Sequence, residues 1–212
     1  RRIRAVISDM DQPLGLTVGN FLEVREAVST LRGKGPSDLV ELTLRLTAHM
    51  LVLAGIEADL GRAEAECREK LEDGSAWRKF LENVELQGGD VGAVRDVEAG
   101  PRAPLIEPLE AADTGFVERI DAYQIGIAAG LLGASRARKE DAVLPDVGIE
   151  LRKVQGDAVE AGEALCLIHG RDAERIERAG SLARSAYAIG GRQSKPGTRV
   201  LEEIRDDDLG KD

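Results

Sequence analysis

At 212 residues and 42% hydrophobic content, the chain can build one large core or two small ones, and it reads as globular rather than disordered. Its 39 acidic residues against 29 basic ones give a formal charge of -10, which argues against general nucleic-acid binding, because that needs clustered Lys and Arg. No apolar run approaches the ~20 residues of a bilayer span and the N-terminus has no signal-like apolar region, so a membrane partner is not expected. Cys67 and Cys166 stand in no metal-binding or disulfide spacing and read as reduced thiols of a cytoplasmic protein. The chain starts at Arg1 rather than Met and is expected to be part of a longer polypeptide.

"IRAVISDM" alternates branched apolar residues up to a Pro/Gly turn, which predicts a buried strand leading into a loop. Asn20 stands where a helix N-cap belongs, Phe21, Val24, Val28 and Leu31 follow at helical spacing, and Gly33 suits a left-handed C-terminal cap. This is a strand, turn, helix unit. Pro36 and Asp38 open a second helix carrying Leu39, Leu42, Leu46, Met50 and Leu53, and a third runs through about Leu60 to Leu71. "SAWRKFLENVELQGGD" reads as a fourth, with Ser75 as its cap and Gly88 and Gly89 at its end. The chain up to Gly89 is therefore mostly helical.

"DVEAGPRAPLIEP" has three prolines, a glycine and no helical period, which predicts a linker or domain edge between about Gly89 and Pro108. Strand-like runs follow at Gly115 to Asp121, Val147 to Lys153 and Ala164 to His169, with a Gly/Ala-rich helix from about Tyr123 to Leu132 between them. In "QGDAVEAGEALCLIH", Gly156 with Asp157 and Gly162 with Glu163 offer turns between strand-spaced apolar residues. Biotinyl and lipoyl domains share that rhythm, but no lysine stands at a hairpin tip here, so a prosthetic-group carrier is not expected. Arg171 to Ile189 reads as a last helix, "GGRQSKPGT" as a loop, Arg199 to Ile204 as a last strand, and "RDDDLGKD" as a solvated acidic tail.

Taken together and in order, "SDMDQPLGLTVGNFLEVREAVSTLRGKGPSDLVEL", "QGGD" and "TGFVERIDAYQIGIAAGLLGASRARKEDAVLPDVGIELRKVQGDAVEAGEALCLIH" resemble successive blocks of the pyrimidine nucleoside phosphorylase and thymidine phosphorylase family over roughly residues 1 to 170. "VGN" followed by "LEV" is more similar to the bacterial nucleoside enzymes than to the archaeal nucleotide phosphorylases. The resemblance implies an α/β fold class: residues 1–100 form the C-terminal part of the central phosphorylase α/β domain, strand-turn-helix plus helices, and residues 101–212 a small α+β hammerhead-like domain.

The function so implied is pyrimidine salvage by phosphorolysis of thymidine or uridine, a pentosyl transfer to phosphate that yields free base and (deoxy)ribose 1-phosphate. Phosphate is the co-substrate and no cofactor does the chemistry. The partners are the nucleoside, phosphate and a second subunit in a homodimer, with neither nucleic acid nor membrane. The phosphate loop and the base-holding side chains of the family lie ahead of this turn, so the resemblance assigns no catalytic or cofactor-binding residue to residues 1–212, and this portion alone is expected to be inactive. It does assign a potassium ion, carrying the ligand roles onto the carbonyls of Leu14 and Thr17 and the carboxylate of Glu26. Hard cations take oxygen ligands and a tight turn can aim carbonyls inward, which is compatible. Thr17 stands where alanine is common in the family, and Phe21 where a small residue is common; the second change is expected to alter helix packing.

The residues by themselves also allow plainer roles. Asp9 and Asp11 suit local backbone hydrogen bonds in an ordinary turn, Glu26 a solvated helix position, and His49 a packed or partly exposed place among Leu46, Met50 and Leu53. His169 ends a strand and can donate to a backbone group. Arg136 to Asp141 reads as a solvated ion-pair cluster or an architectural brace. Two other classes stay open: a binding or regulatory module, and a non-catalytic dimerisation module that reuses this half of the fold. An upstream Lys/Gly/Ser-rich phosphate loop in the gene decides for the enzyme.

Overall fold

The computed structural model describes residues 2–136, 138–194 and 197–205. In chain order its elements are β1 (Arg4–Ser8), β2 (Thr17–Val18), α1 (Asn20–Leu31), α2 (Ser37–Ala54), α3 (Leu60–Glu72), α4 (Ser75–Leu86), α5 (Val91–Arg95), a 3-10 turn (Val97–Ala99), β3 (Leu105–Glu110), β4 (Gly115–Ile120), α6 (Ala122–Leu132), β5 (Gly148–Leu151), β6 (Ala158–Val159), β7 (Ala164–Gly170), α7 (Ala173–Ala186), β8 (Tyr187–Gly190) and β9 (Val200–Arg205). It is a mixed α/β chain. Contacts divide it into two compact units, one made of Arg1–Asp9, Ala27–Asp96 and the segment from Thr198 on, the other of Met10–Glu26 and Val97–Gly197.

In the first unit α2 packs on α3 through Ala48, Val52 and Ala63, small residues that let the helices approach closely. The last strand returns to the first: β9 pairs antiparallel with β1, Val6 opposite Glu203. Glu203 meets Arg45 of α2, whose guanidinium also reaches Glu64 of α3 at 3.0 Å. The expected buried strand at β1 is only half buried, with Ile3 60% and Ile7 44% exposed. Among the contacts from this sheet to α2 are polar ones made by Arg4 and Glu203. His49 is 4% exposed, with Nδ1 3.3 Å from an Arg4 nitrogen and Nε2 3.3 Å from Glu203, a packed helix residue with polar neighbours.

The second unit holds the larger core, in which Val117, Ile125, Leu132, Ile149, Leu165 and Ile168 are almost fully enclosed. Its sheets run β2-β5-β7-β3 and β6-β4-β8, all antiparallel where paired, and α6 packs along α7. Asp121 caps α6 through the Gln124 amide at 3.0 Å, and Asp172 caps α7 through the Arg175 amide at 2.8 Å. Asp146, 6% exposed, takes the Arg171 guanidinium through both carboxylate oxygens at 2.9 to 3.1 Å.

Several local expectations are corrected. The stretch Gly89 to Pro108 is not irregular throughout: Asp90 caps α5 through the Ala93 amide at 3.1 Å, and β3 pairs with β7 as an edge strand, where Pro108 is tolerated. The last helix stops at Ala186, because Tyr187–Gly190 leaves it to pair with β4. Asn20 and Ser75 are first helical residues rather than caps; Asn20 instead donates to the Ala134 carbonyl at 2.8 Å, and Gly74 takes the cap position of α4. Within the cluster at Arg136 to Asp141, the Arg138 amide donates to Asp141 at 2.7 Å. The acidic tail beyond Arg205 lies outside the described residues.

Candidate functional site

Between β1 and α1 the chain makes a turn that the second unit holds at several points. The Asp11 carbonyl accepts the Ala122 amide at 2.9 Å, the Gln12 side chain donates to Gln155, and the Leu16 carbonyl accepts the Leu151 amide at 2.7 Å. Gln155 in turn donates to the Glu118 carbonyl at 3.0 Å. Gly15 turns the chain at φ +72°, a left-handed conformation that glycine adopts without a Cβ penalty. Two residues later Thr17 starts β2, opposite Glu150 of β5.

Glu26 then reaches back from α1. Its Oε1 accepts the Leu16 amide at 2.7 Å and its Oε2 accepts the Thr17 hydroxyl at 3.2 Å. The carboxylate covers Gly15 so closely that a Cβ there would come within 2.5 Å of Oε2. Glu26 is half buried and engaged, not a plain solvated helix acid. Thr17 and Glu26 therefore meet, Thr17 by its hydroxyl, while Leu14 lies half buried immediately before the glycine. A carboxylate offers about four acceptor positions, so the Leu16 and Thr17 hydrogens do not by themselves exclude a cation. Carbonyl and carboxylate oxygens, which this turn includes, are the ligands a hard monovalent ion takes. Among the described residues no group of three or more His, Cys, Asp or Glu forms a metal-binding cluster, so an ion held here would depend on backbone oxygens.

Behind the turn, Glu150 lies 3.3 Å from the Nε2 of His169 on β7 and 3.0 Å from Arg152. Contact with His169 first, then the charges of Arg152, His169 and Arg25, hold the Glu150 carboxyl below its usual range against the opposing effect of burial. Arg25, the residue before Glu26, pairs with Glu98 at 3.0 Å.

Residues 116–190 match a family model described as the pyrimidine nucleoside phosphorylase C-terminal domain. Over 169 residues, 80% of this chain, it is 47% identical to the pyrimidine-nucleoside phosphorylase of Bacillus subtilis and 46% identical to those of Geobacillus stearothermophilus and Staphylococcus haemolyticus. The chain belongs to the pyrimidine nucleoside phosphorylase family. It spans 39% of the length of each of these relatives.

The first unit also holds a cavity of about 320 Å³, with Val40, Leu44, Leu51 and Leu71 in its wall beside Glu66 and Lys70. Its aliphatic lining does not converge polar groups on a phosphate. Cys166 is inert, because burial pushes its thiol up to about 12. The residues that sequence reasoning missed are Gln155, Glu150 and the crossing glycines Gly19 and Gly148. A Cβ on Gly19 would sit 2.6 Å from the Val147 carbonyl oxygen, and one on Gly148 would overlap the Val18 carbonyl. The signal for these two was available as "TVGN" and "DVGI", the same Val-Gly step in two segments, but only the fold shows that they cross. Phe21 keeps its place in α1 because its ring lies over Gly100, where a Cβ would collide with it. No helix among the described residues is long and apolar enough to cross a membrane.

Proposed function

We propose that this chain serves a pyrimidine nucleoside phosphorylase, in which phosphate attacks the anomeric carbon of a thymidine- or uridine-class nucleoside. A phosphate oxygen to carbon bond forms, the glycosidic carbon to nitrogen bond breaks, and the base leaves to take a proton, giving (deoxy)ribose 1-phosphate. The single observation that carries this reading is the 47% identity over 169 residues to a protein of that name. We place the groups that hold phosphate and base in the part of the relatives' length that these residues do not span, and the reading needs no organic cofactor.

The role of this chain is then to fix the turn. Glu26 holds the Leu16 amide and the Thr17 hydroxyl, and so sets the course of the backbone from Leu14 to Thr17. Potassium, when bound by the Leu14 and Thr17 carbonyls and the Glu26 carboxylate, supplies fixed positive charge that favours an anionic co-substrate nearby. Glu26 balances that charge and keeps the turn in one conformation.

The test follows base release from thymidine and uridine by absorbance, with and without phosphate, in the longest natural polypeptide that carries this chain. Phosphate-dependent release supports the reading, and its absence with both nucleosides overturns it. Repeating the assay against potassium concentration for wild type and Glu26→Gln tests the ion: the variant should need more potassium, and superimposable curves would remove Glu26 from this role.

A further inference from the structure

Gln12 enters the turn beside Pro13, whose ring fixes its own φ at about -65° and restricts the residue before it to extended backbone. Whatever holds the Gln12 side chain therefore also aims the backbone that follows, through Leu14 to Gly15. The holder is Gln155, in the turn between β5 and β6. That second turn is itself fixed: the Asp157 carboxylate accepts the Val154 amide at 2.8 Å, and the Gly156 amide donates to the Val117 carbonyl at 2.8 Å.

Beyond Gln155 stands β4, whose pairing with β8 skips one residue. Val117 lies opposite Ile189 and Arg119 opposite Ala188, so Glu118 is the extra residue of a bulge. A bulge leaves its extra residue without a partner on the facing strand. Side chains reach the Glu118 carbonyl instead, Gln155 Nε2 donating at 3.0 Å and the Ser194 hydroxyl at 3.3 Å. A backbone carbonyl can only accept, so this contact settles which end of Gln155 is which. Its amide nitrogen faces β4 and its carbonyl oxygen faces Gln12, which presents its own NH2 group. Gln12, Gln155 and the Glu118 carbonyl form one directed row inside the second unit.

We propose that Gln155, set by the bulge at Glu118, is a positioning residue that fixes the Gln12 carboxamide and with it the course of the turn for phosphorolysis. The inference rests on the phosphorolysis reading above and deepens it, and it holds with or without an ion at the turn. Hydrogen bonds between neutral amides contribute modestly to net stability. Misplacing a group by about 1 Å can cost a rate about 10²-fold. Breaking the row should therefore show in kinetics well before it shows in folding.

The test measures Tm and the steady-state rate of base release against phosphate concentration, in the longest natural polypeptide that carries this chain, with uridine and thymidine as nucleosides. Rates are taken well below the Tm of each variant. Gln155→Leu and Gln12→Leu should each lower kcat/KM for phosphate by roughly tenfold or more. The double variant should lose no more than the worse single one, because all three break the same row. The direction of the row supplies a second arm. Gln12→Glu sets a carboxylate oxygen against the Gln155 carbonyl oxygen, which cannot turn away without giving up the Glu118 carbonyl, and it should lose activity to a similar extent. Adding Gln155→Lys to that variant supplies an ammonium that can donate to the Glu118 carbonyl and to the new carboxylate together, and it should recover most of the loss. If the leucine variants do not fold, Gln12→Glu and its recovery by Gln155→Lys decide. A lower Tm with unchanged kcat/KM, losses that simply add, or no recovery in Gln12→Glu/Gln155→Lys overturns this inference alone. Wild type that releases no base in the presence of phosphate overturns the phosphorolysis reading and this inference with it.

Discussion

The Glu26 carboxylate accepts the Leu16 amide hydrogen at 2.7 Å, joining the middle of α1 to the turn that precedes it. The contact exists because Gly15 has no side chain: at φ +72° a Cβ would both strain the backbone and stand 2.5 Å from Glu26 Oε2. Gly15→Ala should therefore cost about 1–3 kcal/mol in urea unfolding and loosen the turn. Glu26→Gln, which keeps an acceptor for Leu16, should cost less. A Gly15→Ala variant as stable as wild type would show that this carboxylate does not close over the turn.

At the crossing of β2 and β5, the Gly148 Cα faces the Val18 carbonyl, and neither backbone can yield without disturbing the ladder. Gly148→Ala should destabilise the protein by on the order of 2–4 kcal/mol. Gly162→Ala, whose added methyl meets nothing within 4 Å although its φ is +87°, should cost only its backbone strain. Equal losses in the two variants would remove the close crossing as the cause.

Cys166 supplies a pH dependence whose sign can be worked out. Burial raises its thiol from 9.0 to about 12, so the folded state keeps the neutral form while the unfolded chain ionises. That contribution is fully present below the unfolded value of 9.0 and is lost as pH rises towards 12, by up to about 1.4 kcal/mol per pH unit. Tyr187, raised by burial first and then by the charges of Cys166 and Asp157, acts in the same direction at higher pH. The urea midpoint of Cys166→Ala should start lower at pH 7.5 and fall less steeply between pH 9 and 11. Parallel curves would rule out this contribution.

Limited trypsin digestion should cut first at Arg95 or Arg102, on either side of the point where contacts pass from one compact unit to the other at Asp96 and Val97. First cleavage at Arg45, inside α2, would contradict that division.

Much of this architecture is legible in the sequence because the signals are local. Gly33, Gly55 and Gly133 end helices at positive φ, Asp59, Asp121 and Asp172 begin them, and the helical spacing from Phe21 to Leu31 marks α1. What is not legible depends on distant partners. β3 was hidden behind Pro108 and exists because β7 pairs with it, β8 looks like the end of a helix until β4 takes it, and two-residue β2 is defined by β5 alone. The candidate site divides in the same way. The turn and Glu26 are visible in one short stretch, whereas Glu150 and His169 join them only through the sheet order. The family resemblance suggests the cation ligands proposed above, and the fold adds the Thr17 hydroxyl contact that the sequence does not reveal.

Phosphorus NMR of the reaction mixture tests the central claim most directly. The longest natural polypeptide carrying this chain is incubated with uridine or thymidine and inorganic phosphate, and the spectrum is followed with time. The account predicts loss of the phosphate resonance and growth of a sugar 1-phosphate resonance in equal amount, with one free base formed for each phosphate consumed. Base and free sugar appearing with phosphate unchanged, or no reaction with either nucleoside, would contradict it.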